Sequence, residues 1–251
     1  MPIRRTVLIT GASRGIGAEI AREFAAHGDR IALHYSSATS LAQEVADSLP
    51  GDDHIIAQAD LRDPNRIKQM VDEVAQSFGH IDILINNAGV FFDHAIESST
   101  YEQWQEAWAD TLGVNLIGAA NVTWCALQFM PRASNSRIVN IGSRGAFRGE
   151  PKSPAYGASK AGIVAFAQSI AKALAPFKIS VTTLAPGFVD TDMAAELLNG
   201  ESGDEIRAQS PFNRVATPQE LAQAVYFLAS PAAEWASGAV LDFNGASYLR
   251  M

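Results

Sequence analysis

Three side chains in the middle of the chain have the types and spacing to move a proton to or from an oxygen atom. Tyr156 and Lys160 stand four apart in Tyr156-Gly157-Ala158-Ser159-Lys160-Ala161-Gly162, a run that continues as an apolar helical pattern to Leu174. An i, i+4 pair shares one helix face, and a fixed ammonium beside a phenol favours the phenolate, lowering a pKa that is ~10 when unperturbed. Such a pair is expected to exchange a proton with a substrate alcohol or carbonyl. Ser143, in Asn140-Ile141-Gly142-Ser143, falls where an apolar run ends. In a doubly wound sheet that is the rim of the ligand crevice, and a hydroxyl there can donate to an oxygen on which charge grows.

These groups need a scaffold, and the chain supplies one. Short apolar, β-branched runs at residues 6–10, 31–35, 55–59, 83–86, 137–141, 180–184 and 239–242 alternate with helical segments. Apolar strands joined by helical crossovers imply a parallel sheet buried on both faces. The pattern predicts one α/β domain over residues 1–251, a single-domain Rossmann-type doubly wound fold with a seven-stranded parallel sheet and helices on both faces. No repeat, low-complexity tract or linker divides it. The least regular stretch, residues 189–211, is broken by Asn199-Gly200-Glu201-Ser202-Gly203-Asp204, and a substrate lid is expected at about 189–215. Thr217-Pro218-Gln219-Glu220 then opens a helix with a capping box.

The first strand ends in Thr10-Gly11-Ala12-Ser13-Arg14-Gly15-Ile16-Gly17, followed by a helical pattern over residues 18–27. A strand, a glycine-rich turn and a helix start together present backbone N–H groups and a positive dipole end to a pyrophosphate. The end of the second strand selects the nucleotide: a carboxylate there would take a ribose 2′-hydroxyl, and a basic residue nearby would take a 2′-phosphate. This chain offers Leu33-His34-Tyr35-Ser36-Ser37, with no acid, and Arg14 in the turn. The expected cofactor is therefore NADP(H), against Gly11, Ser13, Arg14, Gly15, Ile16, Gly17, Tyr35 and Ser36.

With its T-G-x-x-x-G-x-G opening, the sequence resembles the short-chain dehydrogenase/reductase family. The other landmarks follow in order: Asp60-Leu61, Asn86-Asn87-Ala88-Gly89, Asn115, Ser143, Tyr156-x-x-x-Lys160 and Pro186-Gly187. The resemblance covers essentially the whole chain. It implies that Asp60 hydrogen-bonds the adenine amino group beside Leu61, and that Asn87, Ala88 and Gly89 line the cofactor cleft. It further implies that Pro186, Gly187, Val189 and Thr191 contact the nicotinamide end. Tyr156 would donate the proton, Ser143 would polarise the carbonyl, Lys160 would bind the nicotinamide ribose, and Asn115 would hold a water that links the lysine to solvent. The implied reaction is NADPH-dependent reduction of a carbonyl to an alcohol.

Length, Ala185-Pro186-Gly187-Phe188-Val189-Asp190-Thr191-Asp192-Met193 and Asp242-Phe243-Asn244-Gly245 are most similar to 3-oxoacyl-[acyl-carrier-protein] reductases. A 3-oxoacyl thioester and an acyl-carrier-protein partner are thereby implied. Those reductases dock an acidic carrier through basic helix ends, and here Ala175-Pro176-Phe177-Lys178 and Ala133-Ser134-Asn135-Ser136 are thin in positive charge, while the usual V-N-G-G ending reads Phe243-Asn244-Gly245-Ala246. A broad-specificity ketone or aldehyde reductase or alcohol dehydrogenase of the same family thus stays open. Residues 144–154, with Phe147, Arg148 and Lys152, and residues 194–211 are expected to decide the substrate. The alternative from another class is a non-catalytic NADP-binding scaffold or regulator.

Other chemistries lack their signatures. His27, His34, His54, His80 and His94 show no metal-ligand spacing, Asp190-x-Asp192 has no calcium loop around it, and Gly142-Ser143-Arg144-Gly145 is not a nucleophile elbow. Trp104 and Trp108 are read as core or subunit-interface residues. With 19 basic and 27 acidic residues the net charge is −8, which disfavours nucleic acid. No apolar run is long enough to span a membrane, and the lone Cys125 cannot make an intrachain disulfide. The start, Met1-Pro2-Ile3-Arg4-Arg5, leads into the first strand instead of a signal peptide, so the mature protein is expected to begin here and to be cytoplasmic. A homotetramer built on helices around residues 102–126 and 157–174 is implied by the resemblance.

Overall fold

The structure is a computed structural model and describes residues 4–132 and 136–250. Seven strands form one sheet: β1 (Thr6–Ile9), β2 (Arg30–Tyr35), β3 (Ile55–Gln58), β4 (Ile83–Asn86), β5 (Arg137–Ile141), β6 (Ser180–Pro186) and β7 (Val240–Phe243). Their order is β3-β2-β1-β4-β5-β6-β7, and every neighbouring pair is parallel. Each strand lies within one or two residues of its expected span. Beyond Ile9 the Thr10 N–H still donates to the Ile85 carbonyl at 3.0 Å, and the Thr10 hydroxyl accepts from the backbone N–H groups of Asn87 and Ala88.

Apolar side chains alternate along the strands between two cores. Val7, Ile9, Ile31, Leu33, Ile83 and Ile85 face one layer, with Phe24 of α1 (Gly15–Ala26), Val45 of α2 (Thr39–Ser48) and Leu221 of α10 (Pro218–Leu228). Leu8, Ala32, Leu84, Ile138 and Val181 face the other, with Ile67 of α3 (Pro64–Phe78), Val122 of α5 (Ala119–Leu127) and Ala167 of α7 (Pro154–Leu174). A sheet with helices on both faces is the result, as right-handed crossovers require. The chain runs outward from β1 to β3, then returns to β4 on the other side of β1. That reversal opens a crevice at the carboxyl ends of β1 and β4.

α4 (Tyr101–Leu112) passes through a π-helical turn, Gly113–Gly118, into α5. Beyond β6, α8 (Asp192–Asn199) and α9 (Gly203–Ala208) form an excursion whose ends are joined by a parallel bridge between Val189 and Ala216. The helical break inside it is shorter than expected, since α9 already begins at Gly203. A Cβ on Gly203 would come within 2.1 Å of the Leu198 carbonyl oxygen, so the glycine lets the two helices meet closely. Among the described residues no helix is long and apolar enough to cross a membrane.

Candidate active site

The turn between β1 and α1 is shaped by glycines. Gly11 has φ +65°, and a Cβ on it would sit 2.8 Å from the Cα of Ala88; a Cβ on Gly17 would sit 2.2 Å from the Gly11 carbonyl oxygen. Side chains at these positions would collide with the backbone of the turn and of the segment after β4, so the glycines let the turn pack closely and present its N–H groups at the helix N-terminus, the place a pyrophosphate takes. The helix starts three residues earlier than its apolar pattern, at Gly15, and Arg14 is its N-cap residue in extended conformation with no side-chain cap bond. Asn87 holds the turn from across the sheet switch, its Nδ2 donating to the carbonyls of Thr10 at 2.9 Å and Gly11 at 3.0 Å. Asn86 points the other way and ties β4 to Thr123 and Asn140.

His34, quoted above only as part of a strand end, is a structural member of this turn. Its Nδ1 accepts from the Gly11 N–H at 3.0 Å, and its Nε2 lies 3.0 Å from the Ala59 carbonyl oxygen, so the proton is on Nε2. Burial pushes its pKa down to about 4. The only signal in the sequence was a polar residue inside an otherwise apolar strand.

A cleft of about 550 Å³ runs from this turn across the carboxyl ends of the strands. Gly11, Ser13, Arg14, Gly15, Ile16 and Gly17 line it at one side, and Tyr35, Ser36, Asp60 and Leu61 at the end beyond β2 and β3. Asn87, Ala88 and Gly89 form its floor, and Pro186, Gly187, Val189 and Thr191 its far wall, with Ser143, Tyr156 and Lys160 between. Of the expected site residues, Asn115 alone does not line the cleft. No acid stands at the end of β2, and among the described residues Arg14 has no ion-pair partner. Asp60 is gripped by Arg62, whose Nη2 lies 2.7 Å from Oδ2 and whose Nη1 reaches Asp110 at 2.8 Å. Hydrogen bonds from Arg62 hold the Asp60 carboxyl below its ordinary range. Arg62, Asp110 and Glu150 also line the cleft and went unnoticed, because nothing in their local spacing separates them from surface charges.

Ser143 stands between β5 and the short α6 (Gly145–Arg148) and is buried; its Oγ accepts from the Gly145 N–H at 3.0 Å. A hydrogen bond joins the Ser143 hydroxyl to the Tyr156 phenol. Lys160 is buried on α7, its Nζ donating to the Ile141 carbonyl at 2.8 Å and lying 5.6 Å from the centroid of the Tyr156 ring. The electrostatics correct one expectation. Burial pushes the Tyr156 phenol up to about 12, with the Glu150 charge acting in the same direction and the Ser143 hydroxyl opposing it. Lys160 does not hold the phenol below 10; burial pushes the lysine itself down to about 8. Desolvation of both groups outweighs the attraction that their spacing promises.

Asn115 lies in the π-helical turn and is buried. Its Oδ1 accepts from the Val90 N–H at 2.8 Å, and its Nδ2 donates to the Val90 carbonyl at 3.0 Å and to Ser159 Oγ at 3.1 Å. Both donors and one acceptor lone pair are therefore taken by the chain after β4 and by α7. A Cβ on Gly89 would be 3.5 Å from Asn115 Oδ1 and 3.5 Å from Lys160 Nζ, so the two polar atoms converge on this glycine.

Comparison with known proteins agrees with the geometry. A family model described as Enoyl-(Acyl carrier protein) reductase matches residues 11–245. The 3-oxoacyl-[acyl-carrier-protein] reductase FabG of Vibrio cholerae is 35% identical over 245 residues, 98% of each chain. A short-chain dehydrogenase/reductase from Serratia marcescens superposes with a TM-score of 0.90 at 30% identity, over 98% of each chain. A short chain dehydrogenase from Burkholderia cenocepacia, solved in complex with NADP, does so with a TM-score of 0.88 at 33% identity, over 97% of each.

Proposed function

The chain belongs to the short-chain dehydrogenase/reductase family, and from that premise we propose that it reduces a 3-oxoacyl thioester to the 3-hydroxyacyl thioester with NADPH. The observation that carries this reading is the meeting of Ser143, Tyr156 and Lys160 in the cleft that begins at the glycine turn. The residues present fit the cofactor: Gly11 and Gly17 let the turn pack tightly ahead of the helix N-terminus, and Arg14 with Ser36 suits a 2′-phosphate where no carboxylate repels it. NADP bound to the Burkholderia cenocepacia relative supports the same choice.

Bound NADPH supplies the hydride to the carbonyl carbon. Tyr156, whose raised pKa keeps it a neutral O–H at pH 7, gives its proton to the carbonyl oxygen as negative charge grows there. Ser143 donates to the same oxygen and fixes its direction. The phenolate left on Tyr156 is the group that the Lys160 ammonium then stabilises, and Asn115 completes proton resupply at the Gly89 end of the lysine. Asp60 and Leu61 would hold the adenine, Asn87 to Gly89 the middle of the nucleotide, and Pro186, Gly187, Val189 and Thr191 the nicotinamide end. Residues 189–215 act as the substrate lid, with Met193 and Leu197 on the cleft side. Exposed Ile117 and Trp124, beside and on α5, support assembly as a homotetramer.

A small ketone or aldehyde is the second substrate reading. It is favoured by the net charge of −8, which opposes an acidic carrier protein. NADPH oxidation measured with an acetoacetyl thioester and a panel of simple ketones decides between them: turnover of ketones with none of the thioester abandons the first reading. Equal rates with NADH would overturn the cofactor. Tyr156→Phe is expected to lower kcat by at least ~10²-fold while NADPH still binds, and a wild type that binds NADPH but reduces nothing would return the chain to the scaffold class.

A further inference from the structure

We propose that His94 is a positioning residue for the catalytic tyrosine. The inference rests on Tyr156 being the proton donor, and it concerns how the first turn of α7 is held.

The N-cap residue of α7, Ser153, makes no side-chain cap bond to its own helix. Its hydroxyl is instead given to Asp93, 3.2 Å from Oδ1. Pro154 has no N–H to satisfy, and the Tyr156 N–H returns to the Ser153 carbonyl at 3.0 Å. The remaining orphan donor of this turn is the Ala155 N–H, which a helix N-terminus must satisfy from outside. His94 Nε2 accepts it at 3.0 Å, from a loop sixty-one residues earlier in the chain.

The ring can accept there because its other nitrogen is committed. Nδ1 lies 2.8 Å from the Phe92 carbonyl oxygen, which only accepts, so Nδ1 carries the proton and Nε2 presents a lone pair. The His94 backbone N–H donates to the Lys152 carbonyl at 2.8 Å, and the ring packs edge-on against Trp104 of α4 at 5.6 Å. The residue is 2% exposed. Phe91, from the same loop, packs edge-on against the Tyr156 ring at 5.0 Å. One loop thus holds both the ring of the proton donor and the amide immediately before it. Displacements near 1 Å in a reacting group cost about 10²-fold in rate, so this hold is a determinant of turnover.

The test compares three variants with the wild type in steady-state NADPH oxidation and in direct NADPH binding. His94→Asn places an amide near Nδ1 that cannot reach Ala155, and is expected to lower kcat ten- to hundred-fold with NADPH affinity unchanged within about twofold. His94→Gln carries its amide oxygen to the position of Nε2 and is expected to restore most of that loss. Tyr156→Phe separates the two claims: if it still turns over, the reaction assignment fails, whereas an inactive Tyr156→Phe beside a His94→Asn of wild-type kcat overturns only the role of His94. A Gln variant no better than the Asn variant overturns it equally. Nitrogen-15 shifts of His94 in the wild type give a reading that does not depend on the variants folding. A protonated Nδ1 with bare Nε2 supports the proposal, and the opposite tautomer rejects it.

Discussion

His34 shows how one side chain can set a pH limit without touching the reaction. Its folded pKa of about 4 lies below the ordinary 6.5, so between these values the unfolded chain binds a proton that the folded chain refuses. Stability is therefore fully present above pH 6.5 and lost as pH falls toward 4. Between pH 7 and pH 5 the loss is on the order of 2 kcal/mol, and urea unfolding at the two pH values checks it. His34→Gln, which keeps a neutral polar group between Gly11 and Ala59, should flatten that dependence; an unchanged slope would place its origin elsewhere. At this scale the sequence was legible for residue identity and poor for electrostatic state. Tyr156, Lys160 and Ser143 are recognisable from type and spacing, but the direction of the tyrosine shift depends on burial by residues far away in the chain. The mate that His34 finds in Ala59, just past β3, was equally invisible.

Elements show the same division. The start of α10, after the α8–α9 excursion, was readable to the residue: Thr217 Oγ1 accepts from the Glu220 N–H at 3.2 Å, and Glu220 Oε2 accepts from the Thr217 N–H at 2.9 Å. Arg214 reaches back to the same carboxylate, its Nη2 2.6 Å from Oε1. Thr217→Ala removes one arm of this reciprocal cap and is expected to cost about 1 kcal/mol, measured by chemical denaturation; a change below 0.3 kcal/mol, a few tenths at most, would mean that Arg214 and Glu220 hold the turn alone. Cap chemistry is local, which is why four adjacent residues predicted it. The π-helical turn around Asn115 was not predicted, since what sustains it is the Val90 backbone and Ser159, both outside its own segment. The start of α7 was hidden for a similar reason: only the fold reveals that Ser153, its N-cap residue, gives its hydroxyl to Asp93. The expectation about charge at residues 133–136 falls mainly on 133–135, outside the described residues.

For the whole molecule, strand alternation was enough to give the architecture, because seven continuous apolar runs with helical crossovers leave few topologies. The crevice at the β1–β4 switch followed from that order, and with it the grouping of landmarks spread over residues 11–191. How copies assemble was beyond such reasoning. Trp124 is 61% exposed and Ile117 55%, on and beside a helix whose other face is in the core. On the proposed homotetramer, Trp124→Glu is expected to lower the assembly state in a sedimentation experiment, leaving the secondary structure intact; an assembly state unchanged by the substitution would assign this surface another partner. Trp104 and Trp108 pack with each other at 5.6 Å, and Trp104 also meets His94, so they serve the interior between α4 and its loop.

The bridge between Val189 and Ala216 brings the two ends of the α8–α9 excursion side by side, so everything between them leaves and re-enters the body at one point. Its return limb is tied to the body by Ser210, whose Oγ donates to the Gly245 carbonyl at 2.6 Å, and by Arg214, which meets Glu220 at the start of α10, so an exchange that leaves β6 in register and α10 in place is confined to the limb before Gln209. Grafting the corresponding segment from another reductase should then carry over that enzyme's choice of carbonyl compound while the proton donor and the nucleotide turn stay as they are.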